Sequence, residues 1–339
     1  MITLDETPVI SICIANYNGE KIIGDCIESV LRQKNSPLFE ILVHDDASTD
    51  NSLQAIERYD AVRLIKSSAN VGFCISNNRM AREARGRFIV LLNNDAQLFE
   101  DALSTLFEES RKHAHEAVLG LPQYNFDTGE LIDFGLRLDY FASAVPIEHP
   151  SDDDVAMVIG ACLWLPLELW NRIGGFPEWF ETIAEDVYLC CYARFLGHRI
   201  FVPGRSGFLH MVGHTLGGGK PEKNRLKISA RRRYFSERNR LFVQWLFYPA
   251  WLVPLTTLVN LLVLIAEGLL LSVVNRNTAL LMDIYLKSQL DAYSTLKTVL
   301  SARRAAMQSR EISFLSFFGA FTVIPQKIRL LLSSGVPRT

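Results

Sequence analysis

The sequence predicts an α/β protein built on an open, mostly parallel sheet flanked by helices. Two observations carry this. Strand-like and helix-like runs alternate through the first half of the chain, the rhythm of βαβ units joined by right-handed crossovers. Three of the strand-like runs also finish in clustered Asn and Asp, and sheets of this kind bind ligands outside the carboxyl ends of their strands.

The elements follow in order. "VISICIA" (Val9 to Ala15) is a β-rich run suited to burial on both faces of a parallel sheet. Ile22, Ile23, Cys26, Ile27, Val30 and Leu31 then repeat at helical spacing, with Asn18 as the expected N-cap. "FEILVHD" is the second strand, "STDNSLQAIERY" a capped helix and "AVRLIKS" the third strand. A helix over about Phe73 to Ala84 leads past Gly86 into the strand "RFIVLLNND", and another covers about Asp101 to Lys112 before a fifth strand, "AVLGLP". Later, "VAMVIGACLWLP" reads as a strand interrupted by Gly160, whose missing side chain would admit a neighbouring group. "LELWNRIGGF" reads as a short helix ended by Gly174 and Gly175. Val187, Cys190, Cys191 and Phe195 share one face of a further helix that Gly197 stops, with Glu185 and Asp186 in its first turn. Acids there complement the helix dipole; alternatively one of them is a general base presented at a helix start.

A chain of 339 residues accommodates one large α/β domain plus an appendage. The formal net charge of -2 excludes a polyanion binder such as a nucleic-acid-binding protein. The charge is uneven, however: nine basic residues between Lys220 and Arg240 meet only Glu222 and Glu237. The six cysteines form no C-x-x-C pair and sit mostly in apolar runs, which suits free thiols in a reducing compartment. "MITLDETPVISI" lacks the basic and apolar regions of a signal peptide, so the expected location is the cytosol.

Strand one ends in Ala15, Asn16, Tyr17 and Asn18; strand two in "HDDASTD" (His44 to Asp50); strand four in Asn93, Asn94 and Asp95. Asn and Asp close turns readily, and each cluster alone is explained that way. Three clusters at one edge point instead to a polar ligand, because hard oxygen donors there suit a divalent cation and a phosphate. No G-x-G-x-x-G or G-x-x-x-x-G-K-[ST] loop follows the first strand. A diphosphate would therefore be neutralised by a metal rather than cradled by bare backbone N–H groups.

"SICIANYNG", "ILVHDDASTDNS", "NVGFCISNN", "GRFIVLLNNDAQL", "GACLWLP…IGGFPEWF", "EDVYLCCYARFLGHRI" and "FLHMVGHT" together resemble family-2 inverting glycosyltransferases of the GT-A fold, and within them the rhamnosyltransferase-like branch. The segments keep the family's order from about Val9 to Thr215. The resemblance implies a single inverting displacement by an acceptor hydroxyl at the anomeric carbon of a nucleotide-sugar. It also implies a divalent cation (Mn2+ or Mg2+) on the diphosphate and a carboxylate to activate the hydroxyl. Asp95 matches the family's metal-binding acid and His210 a histidine that completes the metal site, with His214 as a possible substitute. Asn93 stands where the usual first acid would, which weakens cation binding. The nucleoside pocket falls on Ala15, Asn16, Tyr17, Asn18, Asp45, Asp46, Asn70, Asn78, Asn93 and Asn94, with Asp45 or Asp46 accepting from a pyrimidine N3–H. Asp186 matches the catalytic base, with Glu185 beside it. The donor implied is dTDP- or UDP-linked; the acceptor is a polyprenyl-linked glycan or a polysaccharide.

The catalytic domain is expected to cover residues 1–218, and a basic, apolar helical region that associates with a membrane residues 219–339. Leu241 to Val274 is long enough to cross a bilayer, but Pro249, Pro254, Asn260 and Glu267 interrupt it, and cations flank both sides. A helical pair that dips in and returns, or lies along the interface, fits better, with Trp245, Tyr248 and Trp251 at headgroup depth. The basic run would bind anionic lipid or a polyprenyl diphosphate. A helical hairpin packed on the protein remains the alternative for this run. "FLSFFGAFTVIP" in the tail reads as a further amphipathic helix. The expected location is the cytoplasmic face of the cell membrane. The rival functions are a nucleotidyltransferase, disfavoured by the absence of a glycine-rich N-terminal loop, and a catalytically silent nucleotide- or glycan-binding module, suggested by Asn93.

Overall fold

A computed structural model describes residues 7–151, 154–211 and 229–334. These residues fall into two compact units. The first draws on Met1–Leu136, Pro146–Ala193 and His198–Met211, the second on Arg137–Val145, Arg194–Gly197 and Val212–Thr339.

The first unit is organised by a seven-stranded sheet. In chain order its strands are β1 (Ile10–Asn16), β2 (Phe39–Asp45), β3 (Val62–Lys66), β4 (Phe88–Asn93), β6 (Val118–Leu119), β11 (Cys162–Pro166) and β12 (Ile200–Phe201). They lie in the order β12-β6-β11-β4-β1-β2-β3. β1, β2, β3 and β4 run parallel, whereas β11 is antiparallel to both of its neighbours. The apolar runs of β1 and β4 are buried on both faces, as Ile10, Ile12, Ile14, Phe88, Val90 and Leu92 show. Helices α1 (Ile23–Leu31), α2 (Ser52–Ile56), α3 (Phe73–Glu83) and α4 (Ala102–Lys112) follow β1, β2, β3 and β5 (Ala96–Leu98). α5 (Leu167–Ile173) and α6 (Glu185–Phe195) come after β11. Gly174, left-handed at φ 86, ends α5 as the sequence predicts.

A second, four-stranded sheet has the order β5-β13-β7-β8, where β7 is Gln123–Asn125, β8 Leu131–Asp133 and β13 Phe208–His210. Register decides what meets at the rim of the large sheet: Asn16 lies opposite Asp45, and Ala15 opposite Asn93. The carboxyl ends of β1, β2 and β4 are therefore neighbours, as their sequence clusters predict.

Three local expectations are corrected. Asn18 does not cap α1, which starts at Ile23; it adopts a left-handed turn at φ 51, where its short amide is tolerated. "AVLGLP" contributes only Val118–Leu119 to the sheet. "VAMVIGACLWLP" forms strand only from Cys162 onward, with Met157 making an isolated bridge to Leu136.

The second unit is mainly helical: α7 (Ala230–Phe247), α8 (Val253–Val274), a π-helical stretch (Leu280–Leu286), α9 (Lys287–Ser294), α10 (Leu296–Gln308), α11 (Phe314–Phe318) and α12 (Gln326–Ser334). The small sheet β10-β9-β14 joins β9 (Leu136–Asp139), β10 (Ala144–Pro146) and β14 (Phe321–Thr322). The long apolar run is broken at Pro249, as its prolines require. Of the three aromatics expected at headgroup depth, Trp245 and Tyr248 are instead buried inside this unit, and Trp251 is 75% exposed. The tail is likewise no single helix: Gly319 ends α11, and a short strand precedes α12.

Candidate active site

The strand-end residues of β1, β2 and β4 are linked by side chains. Asn16 Nδ2 donates to Asp45 Oδ1 at 2.9 Å, and Asn94 Nδ2 donates to Asn16 Oδ1 at 2.9 Å. Gly19 lies against this pair: a Cβ there would come within 2.3 Å of Asn16 Oδ1 and 2.5 Å of Asn94 Nδ2. Asp45 also closes its own loop, accepting from Ser48 N at 3.0 Å and Ser48 Oγ at 2.6 Å. Asn18 Oδ1 accepts from Thr49 N at 2.8 Å, tying the loop after β1 to the loop after β2. Tyr17 is partly exposed beside them.

The remaining residues of the expected nucleoside pocket divide. Asp46 accepts from Val71 N at 2.7 Å and Gly72 N at 2.8 Å, so its carboxylate holds the loop that leads into α3. Asn70 is exposed in that same loop. Asn78 is buried and engaged elsewhere: its amide donates to Phe176 O at 2.9 Å and accepts from Phe176 N at 2.9 Å. It therefore fixes the turn after α5. Asn93 is half-buried at the end of β4, opposite Ala15 of β1.

Asp95 and His210 meet between β4 and the four-stranded sheet. His210 pairs with Ala96 across β13 and β5, which brings its ring beside Asp95. Asp95 Oδ1 and His210 Nε2 are 3.3 Å apart, both side chains nearly fully buried. Oδ1 nevertheless has no hydrogen-bond partner among the described residues. Buried carboxylate oxygens are normally satisfied, so this orphan beside an imidazole nitrogen suits a shared divalent cation. The other ring nitrogen, Nδ1, lies 2.8 Å from the Gln123 side-chain amide. That contact, made by the Gln123 amide nitrogen, fixes the ring plane with Nε2 turned toward Asp95. Among the described residues no group of three or more His, Cys, Asp or Glu is arranged around a metal. Two protein ligands with phosphate oxygens and water completing the shell is how Mg2+-type ions are commonly held. His214 lies outside the described residues.

Asp186 approaches the same rim from α6. Its Oδ2 accepts from Gly160 N at 3.1 Å and its Oδ1 from Val187 N at 2.8 Å. The next residue, Ala161, accepts from Asn93 N at 3.0 Å. Asp186 is thus held one residue from the segment bonded to the end of β4. Gly160 is the close neighbour the sequence foresees, yet a Cβ there would stand an ordinary 3.5 Å from Asp186 Cβ. Glu185 is buried while Asp186 is partly exposed. Just before α6, Glu181, Ile183 and Ala184 all have positive φ, at 65°, 68° and 65°. This conformation is costly for a β-branched residue such as Ile183, and such strain gathers at functional sites.

Gln123 and Gly19 carry roles that motif reading misses. A lone Gln in a three-residue strand has no sequence signal, whereas Gly19 follows directly on "ANYN".

Residues 11–162 match the family described as Glycosyl transferase family 2. The match takes in somewhat less than half of the chain. The chain is 32% identical over 193 residues to the chondroitin synthase of Escherichia coli, covering 55% of this chain and 27% of that protein. It is 27% identical over 192 residues to the hyaluronan synthase of Pasteurella multocida, covering 55% of this chain and 19% of that one. The chain spans from about a fifth to about a half of the length of such relatives. A solved mannosyltransferase from Pyrobaculum calidifontis superposes with a TM-score of 0.52 at 16% identity, over 90% of this chain and 86% of that one. The architecture of the family 2 domain is the α/β GT-A fold.

Proposed function

We propose that the protein transfers a sugar from a nucleotide-diphosphate donor to a lipid-linked or polysaccharide acceptor, with inversion at the anomeric carbon. Rhamnose, a deoxyhexose, is the sugar favoured by the motif resemblance, and a dTDP- or UDP-linked donor accompanies it. The observation that carries the reading is the convergence of Asn16, Asp45, Asn94, Asp95 and His210 at one sheet rim, with Asp186 tied to the same strand end through Gly160. The Pyrobaculum calidifontis mannosyltransferase was solved with GDP-Man and Mn2+, which supports a nucleotide-sugar and a divalent cation here.

Each residue has a task in this reading. The linked amides of Asn16 and Asn94, with Asp45 and Asp46, shape the nucleoside side of the pocket. Tyr17, Asn18 and Asn70 border it. Asp95 and His210 hold the cation, Mn2+ or Mg2+, which would offset charge growing on the diphosphate leaving group. Asp186 takes the proton from the acceptor hydroxyl as it attacks, a contribution typically of about 10²–10⁴-fold; its partial exposure makes it a better candidate than buried Glu185. Catalysis in residues 1–218 and membrane attachment in residues 219–339 form the proposed division of labour, at the cytoplasmic face of the membrane.

Donor hydrolysis assayed across UDP- and dTDP-sugars, with and without Mn2+, tests the proposal. The wild-type protein should turn over at least one donor in a metal-dependent way. Full activity in Asp95→Ala or Asp186→Ala protein would overturn it.

A further inference from the structure

Helix α8 keeps most of its polar and small residues on its inner face and a purely apolar stripe outside. Among its 22 residues, the buried ones are Thr256, Asn260, Gly268 and Ser272, together with Leu264 and Leu271, which pack on Ile284 and Tyr285. Glu267, on the same inner side, accepts from Tyr285 Oη at 2.8 Å and Lys327 Nζ at 2.6 Å. The outward stripe, by contrast, is Leu255, Leu258, Leu262, Leu269 and Val273, each at least half exposed. Three-and-four spacing puts these on one face. A helix of a water-soluble protein has the opposite pattern, with its apolar stripe turned to the core.

The surroundings point to lipid as what covers this stripe. No polar side chain interrupts it between Leu255 and Val273, whereas a protein partner's interface carries about one hydrogen bond per 100–200 Å². Trp251, 75% exposed, stands at one end of α8 and exposed Arg276 at the other. At Leu258 the stripe continues into an apolar groove of about 540 Å³ shared with α10, which Leu300 and Arg303 also line. Lys297 and Arg304, both exposed, share the α10 face of Leu300. Cations beside an apolar stripe complement a surface of anionic headgroups over hydrocarbon.

By length α8 could cross a bilayer, since 22 residues of helix reach about 33 Å. Its neighbours argue against crossing. The chain turns after Val274 and returns along the inner side of α8, with Leu281 and Tyr285 packed at Gly268. That returning arm exposes Asp283 and Lys287, and Glu267 and Lys327 pair beside it. Upright, α8 would carry these charges to bilayer depth, each lowering insertion by roughly a hundredfold. Lying flat, it submerges only the stripe. We infer that α8 lies in the plane of the membrane interface, its Leu255–Val273 stripe embedded in one leaflet and its polar side toward the protein.

This rests on the membrane attachment proposed above and fixes its geometry. The test places an environment-sensitive fluorophore on Leu255→Cys, Leu262→Cys or Val273→Cys in the full chain. All six native cysteines are buried, and burial pushes the Cys162 thiol up to about 12, so labelling is confined to the introduced site. With vesicles of phosphatidylethanolamine and phosphatidylglycerol, all three labels should enter apolar surroundings at one shallow depth. A deep Leu262 label between shallow end labels would mean a span and overturn the inference. Labels unmoved by vesicles would overturn it too, whether they stay wet or are already shielded by a second copy of the chain. Leu258→Glu together with Leu262→Glu should reduce vesicle binding by about tenfold or more, while donor hydrolysis in solution persists. Equal-depth insertion without donor turnover by the wild-type protein would sink the transferase reading and leave the membrane seat standing.

Discussion

Asp95 Oδ1 faces His210 Nε2 across 3.3 Å with both side chains buried, and Gln123 holds the far nitrogen of the ring at 2.8 Å. An acid and an imidazole kept so close, the acid oxygen without a hydrogen bond among the described residues, are the pair to which the proposed function gives the cation. Asp95→Ala should lower metal-dependent donor turnover by about 10²-fold or more, because the lost charge stabilisation amounts to several kcal/mol. Gln123→Ala should leave the fold intact and weaken Mn2+ affinity by about 10–100-fold. Mn2+ titration followed by electron paramagnetic resonance, with the nucleoside diphosphate present, reads both.

Asp186→Asn keeps the bond from Gly160 N while removing the base. The expected result is a fall in kcat of about 10²–10⁴-fold with donor KM nearly unchanged. Glu185→Gln should keep kcat near the wild-type value; a large fall there with an active Asp186→Asn protein would exchange the two roles.

Gly19→Ala introduces a methyl within 2.3 Å of Asn16 Oδ1. The linked amides must separate, and overpacking of this kind costs about 1–3 kcal/mol. A several-fold rise in donor KM, read alongside thermal unfolding, is the expected outcome.

Asn78→Ala distinguishes packing from pocket. Its amide satisfies both Phe176 N and Phe176 O, and leaving buried backbone groups unpaired costs about 1–3 kcal/mol. Calorimetry should show a lowered Tm with donor KM little changed. An unaltered Tm with a raised KM would place Asn78 at the nucleoside after all.

Acid should loosen the helical unit through Glu237. Burial alone would raise this carboxyl, yet Arg240 and Lys327 overcome that penalty and hold it down at about 2. Its ordinary value is 4.5, so the group binds protons more readily once unfolded. The stabilisation is complete above that value and fades as pH falls from there toward the folded value. Glu237→Gln protein, lacking the pair at every pH, should be less stable near neutrality, and its stability should change less steeply between about pH 4.5 and about pH 2 when helix content is followed by circular dichroism.

Much of this was legible from residues alone, for identifiable reasons. β1, β2 and β4 are continuous apolar runs that end in Asn and Asp, and both features are local. Helical periodicity located α3 and α4 to within a residue or two and the end of α1, whose N-cap, Ile22, lies four residues beyond the expected cap at Asn18. The errors arose where tertiary pairing outweighs pattern. Val118–Leu119 is a strand only because β11 and β12 flank it. Trp245 and Tyr248 resemble interface anchors in sequence, but packing within the helical unit buries both. Within the site, the acids stood out by type and spacing. Gln123 did not, because its importance comes from strand register, Phe208 opposite Gln123, which places His210 two residues further along.

The order in which the chain is made adds a consequence to the meeting of Asp95 and His210. The β1–β4 sheet and its amide rim are encoded before residue 96, but the imidazole arrives only when Phe208–His210 slots between β5 and β7. A polypeptide still emerging from the ribosome therefore carries a finished platform with an incomplete cage. If Asp95 and His210 hold the cation as proposed, donor turnover would begin only once the strand carrying His210 has been synthesised.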